Sequence, residues 1–99
     1  MVSKTIVKRK NKKKIDEPPL FKCILYNDEV TVIDFVVMIL IDVFNMHETQ
    51  ALDFANYVQD AGKGICGVYP FGIAETKARQ VENIAQLFDF PLKCEIEPE

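Results

Sequence analysis

The sequence predicts an α+β domain of order β-α-α-β-α-β, a three-stranded antiparallel sheet with three helices packed on one side. Three observations predict it. Two segments carry apolar residues at helical spacing, and a third is apolar almost throughout. Three short apolar runs sit between turn residues, as strands do. In the last of them Leu92, Cys94 and Ile96 alternate with Lys93, Glu95 and Glu97, the pattern of a half-buried strand. One layer of helices over one antiparallel sheet is the simplest arrangement that gives each apolar face a partner.

The elements follow in order. Leu20 to Tyr26 is rich in apolar and aromatic residues and reads as the first strand, broken by Asn27-Asp28-Glu29. Thr31 with Asp34 three residues later resembles a capping box, which would start a helix at Val32. That helix would run to Phe44, apolar except at Asp34 and Asp42, and must be buried on most sides or line an apolar pocket. Its β-branched residues leave a strand over Val36 to Ile41 as the competing reading. A second helix is expected from about Glu48 to Ala61, with Ala51, Phe54, Ala55 and Val58 in one stripe and Gly62 at its left-handed end. Ile65 to Tyr69 reads as the second strand. A third helix over about Gly72 to Asp89 would bury Ala74, Ala78, Val81, Ala85 and Phe88, pair Glu75 with Arg79 and stop before Pro91. The strand from Leu92 closes the domain.

Charge divides the chain. Residues 1–14 hold seven of the 12 basic residues and no acid, so the other 85 residues hold five basic residues and all 15 acids, a net charge of −10. Residues 1–19 are expected to form a basic, flexible extension, ended by Pro18-Pro19, and residues 20–99 the folded domain. An apolar content of 48% excludes a wholly disordered chain. No apolar run is long enough to span a membrane, and no apolar signal segment follows the basic residues. Three unpaired-looking cysteines, one per expected strand, read as small buried hydrophobes in a reducing cytoplasm.

The catalytic residue types are sparse. His47 is the only histidine, and no nucleophile elbow, phosphate-binding loop or metal-spaced cluster occurs, which points to a binding module that is not an enzyme and needs no cofactor. The basic segment could act as a nucleic-acid arm by counterion release, but the acidic domain behind it would repel phosphate. The Asn27-Asp28-Glu29 corner admits two readings. It is either turn chemistry, or a set of acceptors for a cationic group beside an apolar helix.

Leu25-Tyr26-Asn27-Asp28, Thr31, Phe35-Val36, Gly62 through Tyr69, Ile73-Ala74-Glu75-Thr76-Lys77 and Pro91-Leu92-Lys93-Cys94 together resemble the ClpS family of protease adaptors. The resemblance runs over roughly Leu20 to Ile96. It implies an adaptor that binds proteins by a bulky first residue and hands these N-degron substrates to a ClpA- or ClpC-type unfoldase. It further implies that Asn27, Asp28, Glu29 and Gln59 hold the substrate's α-amine, and that Thr31, Ile33, Val36, Ala55, Val58 and Leu92 wall the side-chain pocket. Glu75, Thr76 and Lys77 would dock on the unfoldase's N-terminal domain, and the extension would take part in delivery. Four positions depart from the family pattern. Glu29 replaces an Asp, Ile33 and Ala55 replace Met, and Gln59 stands where an amine-binding His is usual. These departures leave open an adaptor-like modulator that docks on the unfoldase without ordinary N-degron recognition. Nothing in the pattern calls for more than a monomer.

Overall fold

The computed structural model describes residues 17–99; the expected basic extension lies, apart from Glu17 to Pro19, outside the described residues. The domain has the expected order: β1 (Leu20–Tyr26), α1 (Ile33–Asp42), α2 (Glu48–Ala61), β2 (Lys63–Pro70), α3 (Phe71–Leu87) and β3 (Lys93–Pro98). β1 is the centre strand, antiparallel to β2 on one side and to β3 on the other. No helix of the described residues is long and apolar enough to cross a membrane.

The alternation of the strands decides what each face does. Cys23 and Leu25 of β1, Cys66 of β2 and Cys94 of β3 point into the core, where they meet Ile39 and Leu40 of α1, Ala51 and Ala55 of α2, and Ala74, Val81 and Ala85 of α3. Cys66 is an extra residue in β2. The register passes from Cys23↔Gly67 to Ile24↔Ile65 across it, so the bulge turns this thiol inward. All three cysteines are free and buried, as the sequence suggests. Burial pushes the Cys66 thiol up to about 12 and raises those of Cys23 and Cys94 as well. They are poor nucleophiles in the native state, so a thiol reagent should label the folded domain at least ~10-fold more slowly than the urea-unfolded chain. Rapid native labelling at any of the three would contradict this packing.

Three details of the sequence reading are corrected. First, α1 is a helix throughout Val36 to Ile41, but no capping box starts it. Val32 is the N-cap and makes no side-chain cap bond, while the Thr31 hydroxyl turns back to Asp28. The helix also stops at Asp42. Second, α3 ends at Leu87, before Pro91 could stop it. Asp89 takes a left-handed φ of 62°, and Phe90 N–H reaches back to Ala85 C=O at 2.9 Å, beside an Asp89 N–H bond to Gln86 C=O at 3.1 Å. This pair is a Schellman closure with Asp where Gly is usual. Third, Phe88 lies beyond the helix and is 55% exposed, although its ring still touches Phe35 at a centroid separation of 5.2 Å. Asp89 is doubly unfavourable, as a side chain at positive φ and as an anion at the negative helix end. Asp89→Gly should therefore stabilise the domain by about 0.5–1 kcal/mol, read as a higher urea midpoint.

Gly62 ends α2 as expected, with φ 93° and its N–H on Val58 C=O at 2.8 Å. Its own carbonyl accepts from Asn27 N–H at 2.9 Å. The end of α2 is thereby fixed to the end of β1. Two residues on, a Cβ at Gly64 would meet Phe54 at 2.7 Å and Val58 at 3.0 Å, so only Gly lets α2 lie this close to β2.

Candidate functional site

The Asn27–Gly62 bond draws the corner after β1 up to the C-terminal turn of α2. A cavity of about 350 Å³ opens between them. Four elements build it. Leu25 and Tyr26 come from the end of β1, and Asn27, Asp28, Glu29 and Thr31 from the corner. Ile33 and Val36 come from the first turn of α1, and Ala55, Val58 and Gln59 from α2, with Leu92 just ahead of β3. The α2 spacing of three and four residues sets Ala55, Val58 and Gln59 on one face. Ala55, Val58, Leu25 and Leu92 are buried and form the floor, whereas Asn27, Glu29 and Gln59 are exposed at the mouth.

Every residue expected at an amine or pocket position lines this one cavity. Leu25 and Tyr26 were not anticipated there. Their signal was adjacency: they immediately precede Asn27 on a strand whose alternation already turned Leu25 inward.

Asp28 behaves differently from its neighbours. Its Oδ1 accepts from Val30 N–H at 2.9 Å and from Thr31 N–H at 2.7 Å, and its Oδ2 accepts from the Thr31 hydroxyl at 2.8 Å. Partial burial alone would push this carboxyl up. The hydrogen bonds from Thr31 and Val30 outweigh it, and the carboxyl is held below the usual carboxylate range. Asp28 therefore shapes the corner, and the exposed side chains of Asn27, Glu29 and Gln59 are left to meet a ligand.

The chemistry of the cavity is consistent from floor to mouth. The floor is apolar and the mouth holds amide and carboxylate oxygens, with no Lys, Arg or His among the lining residues. Such a site suits a ligand with a cationic or hydrogen-donating head and a compact apolar body. Among the described residues, no group of three or more His, Cys, Asp or Glu could hold a metal ion. His47 is the N-cap of α2 and does not line the cavity.

Glu75, Thr76 and Lys77 lie apart from the cavity, near the start of α3. Glu75 pairs with Arg79 at 3.5 Å, and the Thr76 hydroxyl donates to Gly72 C=O at 2.9 Å. Lys77 is half-buried. Its ammonium donates to Val43 C=O at 2.7 Å, just past α1, and lies 5.2 Å from the Tyr69 ring centre and 5.9 Å from that of Phe44. Beside this group Phe71 and Ile73 remain about half exposed, at 48% and 51%.

Comparison with known proteins agrees with the fold. The family model described as "ATP-dependent Clp protease adaptor protein ClpS" matches residues 16–95. An ATP-dependent Clp protease adapter protein ClpS of Shewanella denitrificans is 50% identical over 80 residues, 81% of this chain and 78% of that protein. The ClpS of Myxococcus xanthus is 44% identical over 88 residues, 89% of this chain and 82% of that one. Among solved structures, Agrobacterium tumefaciens ClpS2 bound to L-phenylalaninamide superposes with a TM-score of 0.81 at 34% identity, covering 84% of this chain and all of that one. Matched in sequence from ahead of β1 into β3, and similar in fold, this chain belongs to the ClpS family of ATP-dependent Clp protease adaptors.

Proposed function

We propose that the protein is a non-enzymatic adaptor whose cavity takes the free N-terminal residue of client proteins that begin with a bulky apolar side chain. The observation that carries this reading is the division of the cavity. An α-ammonium needs acceptors on several sides, which the side-chain oxygens of Asn27, Glu29 and Gln59 supply, with Thr31 beside them. A ring or branched chain attached to it needs the apolar floor of Val36, Ala55, Val58 and Leu92. The ligand of the Agrobacterium relative, L-phenylalaninamide, has both parts in one molecule. Client delivery would then use docking of the Glu75–Lys77 region on the N-terminal domain of a ClpA- or ClpC-type unfoldase.

Gln59 supports a second reading. An amide at the mouth can accept through oxygen only if it turns its NH₂ away, whereas the His usual in the family accepts through a ring nitrogen. An adaptor that docks without binding N-termini would leave this cavity unused.

Fluorescence anisotropy with peptides that differ only in their first residue separates the two. Leu, Phe, Tyr or Trp peptides should bind at least ~10-fold more tightly than the Ala peptide, and N-acetylation of the Phe peptide should cost ~10-fold or more, since it removes a charged donor. Equal, weak binding of all five peptides by the folded protein would favour the docking-only reading.

A further inference from the structure

The carboxylates of the domain are unevenly placed. From Asn27 to Gly62, the span that builds α1 and α2, the chain holds seven Asp or Glu and neither Lys nor Arg. Of the five Lys and Arg among the described residues, four engage elsewhere and the fifth, Lys93, stands on the sheet at the start of β3. Lys22 pairs with Glu97 across the sheet, Arg79 with Glu75, Lys63 lies near the Tyr26 ring, and Lys77 is on the Val43 carbonyl. Between α1 and α2, away from the ligand cavity, a groove of about 570 Å³ opens to the surface. Val37, Ile41 and Leu52 line its base and Asp34, Asp42 and Glu48 its rim. Leu52 is 47% exposed, and the last turn of α1 carries no basic residue to offset Asp42 at the negative end of the helix.

The chain itself contains a segment of matching chemistry. Residues 1–14 carry seven Lys or Arg, no acid, and Val2, Ile6 and Val7 between them. We propose that this basic segment docks in cis in the α1–α2 groove, its cations against Asp34, Asp42 and Glu48 and its aliphatic side chains on Val37, Ile41 and Leu52. Opposite charge selects the surface, and the apolar base gives the segment something to bury.

The path is short. Lys77 joins Val43, at the end of α1, to Tyr69, and Tyr69 lies opposite Phe21 in the sheet. The C-terminal end of α1 and the start of β1 are therefore at the same end of the domain. The five residues 15–19 span up to ~17 Å when extended, which sets how far from the start of β1 residues 10–14 can lie. The outer face of the sheet is the competing surface, with Ile24, Ile65 and Val68 beside Glu95 and Glu97. It also carries Lys22, Lys63 and Lys93, which oppose a basic segment. The groove has no cation among its lining residues. The proposal stands independently of what the ligand cavity binds.

The test is paramagnetic relaxation on the full ¹⁵N-labelled chain with a nitroxide at Ser3→Cys, the three native thiols being buried. At low salt, about 50 mM, the groove amides should lose at least ~half their intensity. At ~500 mM, where screening shortens the reach of charge to a few ångströms, they should recover. The triple variant Asp34→Asn, Asp42→Asn, Glu48→Gln should abolish the broadening, and Glu95→Gln with Glu97→Gln should preserve it. Should the triple variant fail to fold, Lys12→Gln, Lys13→Gln, Lys14→Gln removes three of the seven partner charges without touching the domain, and broadening should fall in proportion. Broadening centred on the sheet face, or none that salt reverses, overturns the proposal. So does broadening that persists when the nitroxide is carried only by unlabelled molecules mixed with the ¹⁵N chain, since the segment would then bind a second copy.

Discussion

Asp28→Ala is expected to weaken peptide binding by about one to two decades and to cost the fold about 1–3 kcal/mol. The carboxyl makes three hydrogen bonds across four residues, to Val30 N–H, Thr31 N–H and the Thr31 hydroxyl. Its removal leaves two backbone donors and a hydroxyl at a half-buried corner without their acceptor. The corner is also the link that sets Asn27 and Glu29 at the cavity mouth and leads into Ile33 and Val36 on its wall. Binding falls because those groups lose their placement; the Asp28 oxygens are already occupied. A Thr31→Val variant separates positioning from contact. It removes the hydroxyl bond to Asp28 and should reproduce part of the loss, although Thr31 brings no charge to the ligand.

The pH dependence has a definite sign. The Asp28 carboxyl is held below 3.8 in the folded state, so its contribution to stability is fully present above that pH. It is lost as pH falls below 3.8 through the folded value, where the protonated carboxyl must give up part of its hydrogen-bond acceptance. Acid unfolding followed by circular dichroism should show a steeper fall for the wild type than for Asp28→Asn in this range. Parallel curves would mean that the corner's hydrogen bonds carry no net stability.

The same corner shows where one-dimensional reading stops. α2 and β3 were legible because their apolar residues recur at the spacing of the backbone itself. Ala51, Ala55 and Val58 are buried as their stripe requires, and so is Cys94 in its alternating strand. Thr31 and Asp34 also stood at the spacing of a capping box, yet Asp28 lies three residues before Thr31 and captures both its N–H and its hydroxyl. Two local patterns compete for one hydroxyl, and the direction of the chain after β1 decides between them. At the end of α3, periodicity continues past Leu87 into Phe88, but the left-handed Asp89 turns the chain first. The Asn27–Glu29 corner was legible from its residues as one of two readings, but the contribution of α2 and Leu92 to the site was legible only through family resemblance. No periodicity connects Asn27 to Gln59, which are brought together by the Asn27–Gly62 backbone bond.

Lys77→Met is the substitution expected to damage the fold most outside the apolar core, by about 2–3 kcal/mol, or roughly 8–20 °C in Tm for a domain of this size. Within the motif it resembles a docking residue, but the bond its ammonium makes is 34 residues away in sequence, to the carbonyl of Val43. There it meets a helix end whose carbonyls need donors and whose dipole favours a cation. The Tyr69 and Phe44 rings beside it add cation–π attraction on a partly desolvated charge. Methionine keeps the length of the stem and removes the donor, leaving the Val43 carbonyl without it. A loss of unfoldase binding in a Lys77 variant is therefore ambiguous, because α1, α3 and β2 are tied together at this point. Glu75→Arg avoids the ambiguity. Its partner Arg79 is exposed and the pair contributes little to stability, so the fold should survive with a change in Tm of no more than a few degrees. If the start of α3 is the docking surface, this charge reversal should weaken binding to the unfoldase N-terminal domain by ~10-fold or more while leaving peptide binding unchanged. Unaltered docking in Glu75→Arg, alongside a destabilised Lys77→Met, would make the Ala-Glu-Thr-Lys segment a packing motif and move the docking surface elsewhere on the domain.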